Sequence, residues 1–537
     1  MFIPLIIAFL VLKVKRFVSK NHIFISATPL FFSFDYDILE IEIIKNKEKI
    51  MKAKYPKHES WKIVYSDYSG LQKKAIELLN REIGKRLIRK QGVYTLYVLP
   101  CEKETENVRL ERNAIVIGLY GQSPLMQKFV SENEIPENGY LMRVAANPED
   151  EDCSIVLITA REEINLYYGA CAFVDDYPHL CAPVHGGGLQ LTEEIFDEKL
   201  QPITLASAPK TQTRGIFTWG HPINDYKEFI ENMARQRLNQ LIVWNDFVPI
   251  NAKEIIDYAH SFGIEFLWGY AWGWIDGCWN LTDISDETLK KLKEVVIRKY
   301  EEEYAPLGAD GIYFQSFTER NDEYIGGRLI AEAVTSFVND TAGELLKRYP
   351  RLKLQFGLHA LSVHNRLSEI AKVDKRVEIL WEDGGEFPFG YRALVTDEKA
   401  YEKTLQFVED ILYLRGLDAP TGIVFKGFMT LDWTRFVSQS GPFILGENAR
   451  EISEHDRTMR LGAWRKFKSD WLKYGKYATR MAKRILEITQ GKVNLCMAGM
   501  FDGGIWYPEA VCSEIFWNPE AEFDDLSRTV CARECVK

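Results

Sequence analysis

Residues 215–244 read GIFTWGHPINDYKEFIENMARQRLNQLIVW. The architecture of the protein can be predicted from the pattern in this stretch and its recurrence along the chain. The two ends of this stretch, Gly215–Trp219 and Gln240–Trp244, are short apolar runs with the length and composition of buried strands. Between them, Tyr226–Leu238 carries apolar side chains at helical spacing. A strand, a helix and a second strand in this order predict a βαβ unit with parallel strands.

The same order of elements recurs along about 300 residues of the chain. We expect strands at Gly215–Trp219, Gln240–Trp244, Glu265–Tyr270, Gly311–Phe317, Lys353–Gly357, Val377–Trp381, Gly422–Gly427 and Val493–Ala498. We expect helices at Tyr226–Leu238, Ala252–Phe262, Glu287–Tyr304, Leu329–Arg348, Glu402–Leu414 and Ser453–Thr489. This alternation is typical of the α/β class and predicts a (β/α)8 TIM barrel over residues 213–537, with a C-terminal tail.

A small α/β domain is predicted before the barrel, over residues 51–182. Its expected strands are Trp61–Asp67, Tyr94–Pro100, Ala114–Tyr120, Tyr140–Ala145 and Ser154–Ala160, and its expected helices are Leu71–Leu87 and Glu162–Asp175. Residues 183–212 contain three consecutive glycines and several prolines and threonines, which predict a linker.

Residues 1–50 differ from the rest of the chain because they contain no Gly and no Trp. The apolar run Met1–Leu12 precedes Lys13 and Lys15, whereas a secretory signal carries its positive charge before the apolar run. Two interpretations stay open. The segment is either a non-native extension translated from upstream DNA, with Met51 as the start, or a weak export signal or membrane-surface anchor. The first interpretation predicts a cytoplasmic protein.

The composition excludes several classes of partner. No segment approaches the ~20 apolar residues that a membrane span needs. The net charge of −10 comes without a run of Lys and Arg, so we expect no nucleic-acid partner. Nine cysteines without CxxC pairs predict reduced thiols and a reducing compartment. We expect no cofactor, and the oligomeric state stays open.

Function in a TIM barrel resides at the carboxyl ends of the strands. These positions of the chain are rich in indole rings and polar groups. Sugars stack their apolar faces on aromatic rings and need amides and carboxylates for their hydroxyls. A carbohydrate is therefore the predicted partner, with binding residues Trp219, His221, Trp244, Asn245, Trp272, Trp274, Gln315, His359, Trp381, Asp432, Trp433 and Trp506.

Three further segments carry a family resemblance: 166–169 (LYYG), 213–217 (TRGIF) and 233–239 (MARQRLN). With their order around the linker, they resemble the β-hexosaminidase and α-glucuronidase families of glycoside hydrolases over roughly residues 60–320. The resemblance implies a small α/β domain before a TIM barrel, and glycosidase activity. It also implies that Arg214 corresponds to the hexosaminidase arginine that grips sugar hydroxyls.

Residues 308–319, GADGIYFQSFTE, look like strand four of the α-glucuronidases. This likeness implies that Glu319 is the general acid. Hexosaminidases end this strand in an Asp-Glu pair, whereas Thr318 precedes Glu319 here, so substrate-assisted chemistry is not implied. Glycoside hydrolysis needs a second carboxyl group. We favour Asp383 as this partner, with Glu382 next and Asp432 as a further candidate.

Two other functions stay open. In one, the barrel binds glycans without hydrolysing them. In the other, a metal-dependent barrel hydrolase or isomerase uses His359 and His364 with Glu382 and Asp383 as ligands. The spacing of these residues matches no HExxH motif, and we predict no metal.

Overall fold

The computed structural model describes residues 61–91, 98–181, 199–273, 281–385, 395–429, 437 and 439–537. They belong to one compact unit, Lys57–Lys537. The predictions for residues 1–50, for Trp274, Asp432 and Trp433, and for most of the strand Tyr94–Pro100 fall outside the described residues.

The first domain has one six-stranded mixed sheet. Its strands are β1 (Trp61–Tyr65), β2 (Cys101–Lys103), β3 (Asn113–Leu119), β4 (Tyr140–Asn147), β5 (Asp150–Ala160) and β6 (Ile203–Ser207). Its helices are α1 (Gly70–Gln91), α2 (Pro124–Phe129), α3 (Glu163–Cys171) and α4 (Tyr177–Cys181). The strand order is β2-β1-β3-β5-β4-β6, with β4 antiparallel to both of its neighbours.

Strand β6 corrects the predicted linker 183–212. Residues 203–207 pair with β4 and form the edge of the sheet. The five residues alternate between exposed and half-buried positions, as an edge strand does, and prolines stand close on both sides. Neighbouring Gly, Pro and Thr residues obscured this short pattern in the sequence.

The eight predicted barrel strands are all present. They are β7 (Thr213–Trp219), β8 (Gln240–Trp244), β9 (Glu265–Ala271), β10 (Gly311–Gln315), β13 (Lys353–Leu358), β14 (Val377–Trp381), β15 (Thr421–Val424) and β16 (Asn494–Ala498). A short hairpin, β11 (Tyr324–Ile325) and β12 (Arg328–Leu329), follows β10. Each of the eight strands pairs in parallel with its two neighbours, including β9 with β10. The last strand, β16, pairs with the first, β7, so the sheet is closed, which confirms the predicted TIM barrel.

Helices lie between the barrel strands and after the last one. They are α5 (Tyr226–Arg235), α6 (Ala252–His260), α7 (Asp286–Lys299), α8 (Ile330–Arg348), α9 (Leu367–Ile370), α10 (Glu398–Leu414), α11 (Arg450–Tyr474), α12 (Lys476–Thr489), α13 (Tyr507–Trp517) and α14 (Phe523–Ala532). The predicted helix Ser453–Thr489 is two helices that meet at Gly475, where a side chain would overlap the ring of Phe523. Among the described residues, every helix is too short or too polar to span a bilayer.

The barrel interior is layered. Near the amino ends of the strands, Gln240 Oε1 accepts hydrogen bonds from Gln355 Nε2 at 3.0 Å and from Asn494 Nδ2 at 2.8 Å. Above this amide layer, the rings of Phe217 and Tyr313 lie 4.8 Å apart, although their strands are not neighbours in the barrel. Such a contact is possible only across the interior, so these side chains fill the barrel.

The predicted C-terminal tail is folded and joins the two domains. Arg533 follows α14 and is 6% exposed. Its guanidinium donates to Asp176 at 2.7 Å and to Glu514 at 2.7 Å. Arg237 contacts the same two carboxylates, at 2.6 and 3.3 Å. The last residues of the chain are therefore part of a buried ionic cluster between the first domain and the barrel.

Candidate active site

Four charged or titratable side chains meet at the carboxyl end of the barrel. They follow four consecutive strands in the barrel order: Glu319 after β10, His359 after β13, Glu382 after β14 and Lys426 after β15. Because parallel strands end at the same edge, each of these loops delivers one side chain to the centre. His359, Glu382 and Lys426 are buried, whereas the Glu319 side chain is 10% exposed to solvent.

Glu382 is the centre of this cluster, which we call the Glu382 cluster. Its Oε2 accepts a hydrogen bond from Lys426 Nζ at 2.6 Å and lies 3.1 Å from His359 Nε2. Its Oε1 accepts hydrogen bonds from the Tyr313 hydroxyl and from Gln315 Nε2. Both carboxylate oxygens are thus engaged by donors from neighbouring strands.

The two basic groups set the charge of this carboxylate. Burial alone would raise the pKa of Glu382, but the positive charges of His359 and Lys426 hold that pKa well below its usual range. Burial would likewise lower the pKa of His359, and the carboxylate of Glu382 raises it instead. The buried carboxylate of Glu382 therefore lies between two basic side chains whose positive charges favour its ionised form.

Glu319 lies at the solvent side of the cluster. Its Oε2 is 3.6 Å from His359 Nε2. Burial raises the pKa of Glu319, and the negative charges of Glu382 and Asp383 add to this effect, against the opposing charges of His359 and Lys426. Glu319 and Glu382 are two carboxyl groups in one site whose pKa values are moved in opposite directions.

Asp383 has no exposed surface, and its Oδ2 accepts a hydrogen bond from the amide of Ala360 at 2.8 Å. This bond links the loop after β14 to the loop after β13, which carries His359. Asp383 is therefore beside the Glu382 cluster, and its charge acts on Glu319.

Trp219 and Trp244 end β7 and β8 and belong to the side-chain cluster that fills the barrel interior. Asn245 follows Trp244, and its Oδ1 accepts a hydrogen bond from the Gly220 amide at 3.1 Å. Asn245 Nδ2 is buried and has no hydrogen-bond partner among the described residues. Two indole rings and an amide donor without a partner in the described part of the chain therefore lie at this end of the barrel.

The structure does not bring Arg214 to this site. Arg214 lies near the start of β7, at the amino end of the barrel, because it precedes the strand interior. Its guanidinium donates to the carbonyls of Arg237 and Thr211, each at 2.8 Å, and lies over the ring of Trp517. The predicted sugar-binding arginine is thus buried far from the strand ends that form the site.

Trp272 and Trp381 face outward from the barrel. The ring of Trp272 stacks on Phe314 at 3.6 Å, and Trp381 packs edge-on against Phe407 of α10 at 5.9 Å. Both belong to the core between strands and helices, because successive strand residues point to opposite faces. The structure therefore places neither ring in the barrel interior.

Two other predicted residues follow β16 and β7, strands whose loops carry no member of the Glu382 cluster. Trp506 stacks on Trp464 of α11 at 4.8 Å, and its Nε1 donates to Asp502 at 2.9 Å. His221, after β7, borders an apolar cleft that α11 also lines. Among the residues lining this cleft, none belongs to the Glu382 cluster.

The alternative metal site is not assembled as predicted. His364 is exposed, with its Nδ1 2.9 Å from the Leu361 carbonyl oxygen. His359, Glu382 and Lys426 instead contact one another, so an ammonium group supplies positive charge at the centre. Within the described part of the chain, no three His, Cys, Asp or Glu side chains are arranged to hold a metal ion.

The sequence prediction missed Lys426 and Tyr313. Lys426 stands in the apolar run GIVFKGF, residues 422–428, and a lysine within a buried strand end is a signal for a paired or functional charge. Tyr313 was part of the strand-four pattern, but its contact with Glu382 depends on the barrel cross-section, which no local pattern contains.

No protein-family model and no curated protein matches this chain. The solved structures similar to it include glycoside hydrolases. CpGH84D has a TM-score of 0.39 and 14% identity, over 68% of this chain and 57% of its own. A GH138 enzyme targeting pectin rhamnogalacturonan II has a TM-score of 0.44 and 11% identity, and the match covers 86% of this chain and 51% of that enzyme. The GH20 β-N-acetylhexosaminidase of Streptomyces coelicolor has a TM-score of 0.39 and 11% identity, and the match covers 72% of this chain and 76% of that enzyme. This chain thus spans little more than half the length of the first two, and its fold assignment rests on its own strand order.

Proposed function

We propose that the protein hydrolyses a glycosidic bond, with Glu319 as the general acid. The observation that carries this proposal is the place of Glu319 at the solvent side of a buried cluster, 3.6 Å from His359, where burial and the negative charges of Glu382 and Asp383 raise its pKa. A glycosidase keeps its acid protonated in this way beside a second, ionised carboxylate. Glu319 is also the carboxyl group of the Glu382 cluster that keeps contact with solvent.

Asp383 is the proposed second carboxyl group. Glu382 already accepts hydrogen bonds from Lys426, Tyr313 and Gln315 and contacts His359, so attack on a sugar or activation of water would break part of this network. We therefore assign Glu382 a positioning role, in which it orients His359 and Lys426. Asp383 is the adjacent carboxylate whose charge favours the protonated form of Glu319.

The proposed partner is a carbohydrate bound over the barrel opening. Trp219 and Trp244 supply indole rings for the apolar face of a sugar, and Asn245 Nδ2 supplies a buried donor for a hydroxyl group. The Trp272 and Trp381 rings take no part in this proposal because they pack against the barrel's outer core.

A panel of aryl glycosides tests the proposal. It should contain N-acetylglucosaminides and glucuronides of both anomers, with wild type and Glu319→Gln assayed with and without a chelator. We expect one glycoside to be hydrolysed regardless of the chelator, with altered turnover in the variant. Turnover that the chelator abolishes would support the metal-dependent alternative. Glycan binding without turnover of any member would support the binding-only barrel and contradict the proposal.

A further inference from the structure

An apolar cleft lies at the carboxyl end of the barrel, outside the Glu382 cluster. It lies between α11 and the loops after β7, β15 and β16. Trp464, Phe467 and Trp471 line it from one face of α11, and Phe501 lines it from the loop after β16. An aromatic lining with few polar groups is typical of sites for small organic ligands.

One cation is built into this apolar cleft. Arg460 lines the cleft from α11, one helical turn before Trp464. Its NH1 nitrogen is buried and has no hydrogen-bond partner among the described residues. No described carboxylate forms an ion pair with Arg460. A buried guanidinium nitrogen without an acceptor is unfavourable, and an anionic ligand oxygen would satisfy it.

The other titratable group of the cleft is His221. Burial, with the nearby charge of Arg460, lowers the pKa of His221 to about 4. The imidazole is therefore neutral near pH 7, and Arg460 supplies the positive charge of the cleft lining. Met429, Met500 and Pro508, which also line the cleft, carry no charge.

We propose that this cleft binds a small amphipathic carboxylate, whose apolar body packs on the α11 aromatic rings and whose carboxylate binds Arg460. The negative charge of the ligand's carboxylate complements the Arg460 NH1 nitrogen, which has no hydrogen-bond partner among the described residues. The apolar lining favours a ligand with a hydrocarbon or aryl body over a strongly hydrated ion such as phosphate. The inference does not depend on the proposed hydrolysis, because the two sites share no lining residue.

A matched pair of probes tests it by isothermal titration calorimetry on the full chain: 3-phenylpropanoate and 3-phenylpropanamide, which differ in charge but little in shape. We expect the wild type to bind the carboxylate at least about tenfold more tightly, since hydrogen bonds to charged groups are the stronger ones. Tryptophan fluorescence should change on binding, because Trp464 and Trp471 line the cleft.

Arg460→Gln should remove the preference for the carboxylate, and Arg460→Lys should keep a weaker one. Arg465→Gln is the matched control, because Arg465 is exposed on the same helix and lines no part of the cleft. Equal binding of the two probes by the wild type, binding of neither, or an unchanged preference in Arg460→Gln would each overturn the proposal. Thermal unfolding of every variant reports whether the fold is retained.

Discussion

The ammonium group of Lys426 donates a hydrogen bond to the carboxylate of Glu382 at 2.6 Å, and both side chains are at most 3% exposed to solvent. The two residues follow neighbouring strands, β14 and β15, so the ion pair fixes the relative positions of two loops of the site. A buried pair of this kind gains little over a well-packed apolar pair, but loss of one partner leaves an uncompensated charge.

Lys426→Met should therefore destabilise the protein by about 3–5 kcal/mol, because it leaves Glu382 buried beside a weaker set of donors. Urea denaturation followed by circular dichroism measures this loss. The double variant Lys426→Met/Glu382→Gln, which removes both charges of this ion pair, should recover part of the stability. A single variant as stable as the wild type would show that the pair contributes nothing to the fold.

A second prediction concerns the space that Gly357 leaves for Tyr313. A β-carbon at Gly357 of β13 would overlap the Tyr313 hydroxyl, which donates to Glu382. Gly357→Ala should cost about 1–3 kcal/mol of stability and should also lower turnover. Gly343→Ala is the control, because no atom lies within 4 Å of that position in α8. It should leave activity unchanged and stabilise the helix by about 0.5–1 kcal/mol. The same thermal shift for both variants would contradict the packing argument.

The third prediction tests the ionic cluster between the domains. Arg533→Met should destabilise the protein by about 3–5 kcal/mol, because Asp176 and Glu514 then share a single remaining guanidinium, that of Arg237. Arg528→Met on α14 removes only an exposed pair with Asp525 and should change little. Differential scanning calorimetry compares the two. If both variants melt alike, the end of the chain does not hold the domains together.

The strand positions were predictable because parallel barrel strands are short, continuous apolar runs. Gln240–Trp244 and Val377–Trp381 have the same bounds in the sequence prediction and in the structure. The same apolar character made it impossible to predict which side chains point into the barrel and which point toward the helices. Both faces of such a strand are buried, so no polar alternation separates inside from outside.

Trp244 and Trp381 illustrate this limit. Each is the last residue of its strand, yet Trp244 lies in the barrel interior and Trp381 packs against α10.

The predicted position of Arg214 was wrong for a different reason. The family resemblance matched the motif around strand one, but the arginine stands at the start of the strand, where carbonyl groups of the barrel's amino end bind it.

The positions of Glu319, Glu382 and Asp383, just after barrel strands, were predictable from the strand pattern. Their grouping was not, because Glu319, His359, Glu382 and Lys426 are brought together only by closure of the barrel. The same closure explains why Asp383 and Glu382, adjacent in sequence, have different partners: the amide of Ala360 and the basic groups of the site.

The fourth prediction is a pH dependence. A general acid works when protonated, so kcat/KM should fall as pH rises through the pKa of Glu319, which is raised above its ordinary value. His359→Gln removes a positive charge that lowers this pKa, so the alkaline limb should move to higher pH. His364→Gln, which alters an exposed imidazole outside the cluster, should not move it. An alkaline limb unmoved by His359→Gln, or moved to lower pH, would assign that limb to another group.

The most direct test of the central claim is the leaving-group dependence of Glu319→Gln. We predict a large loss of kcat/KM for glycosides with poor leaving groups, which need a proton from the acid, and a much smaller loss for activated aryl glycosides, which do not. Equal losses for both kinds of substrate would contradict the assignment of Glu319 as the general acid.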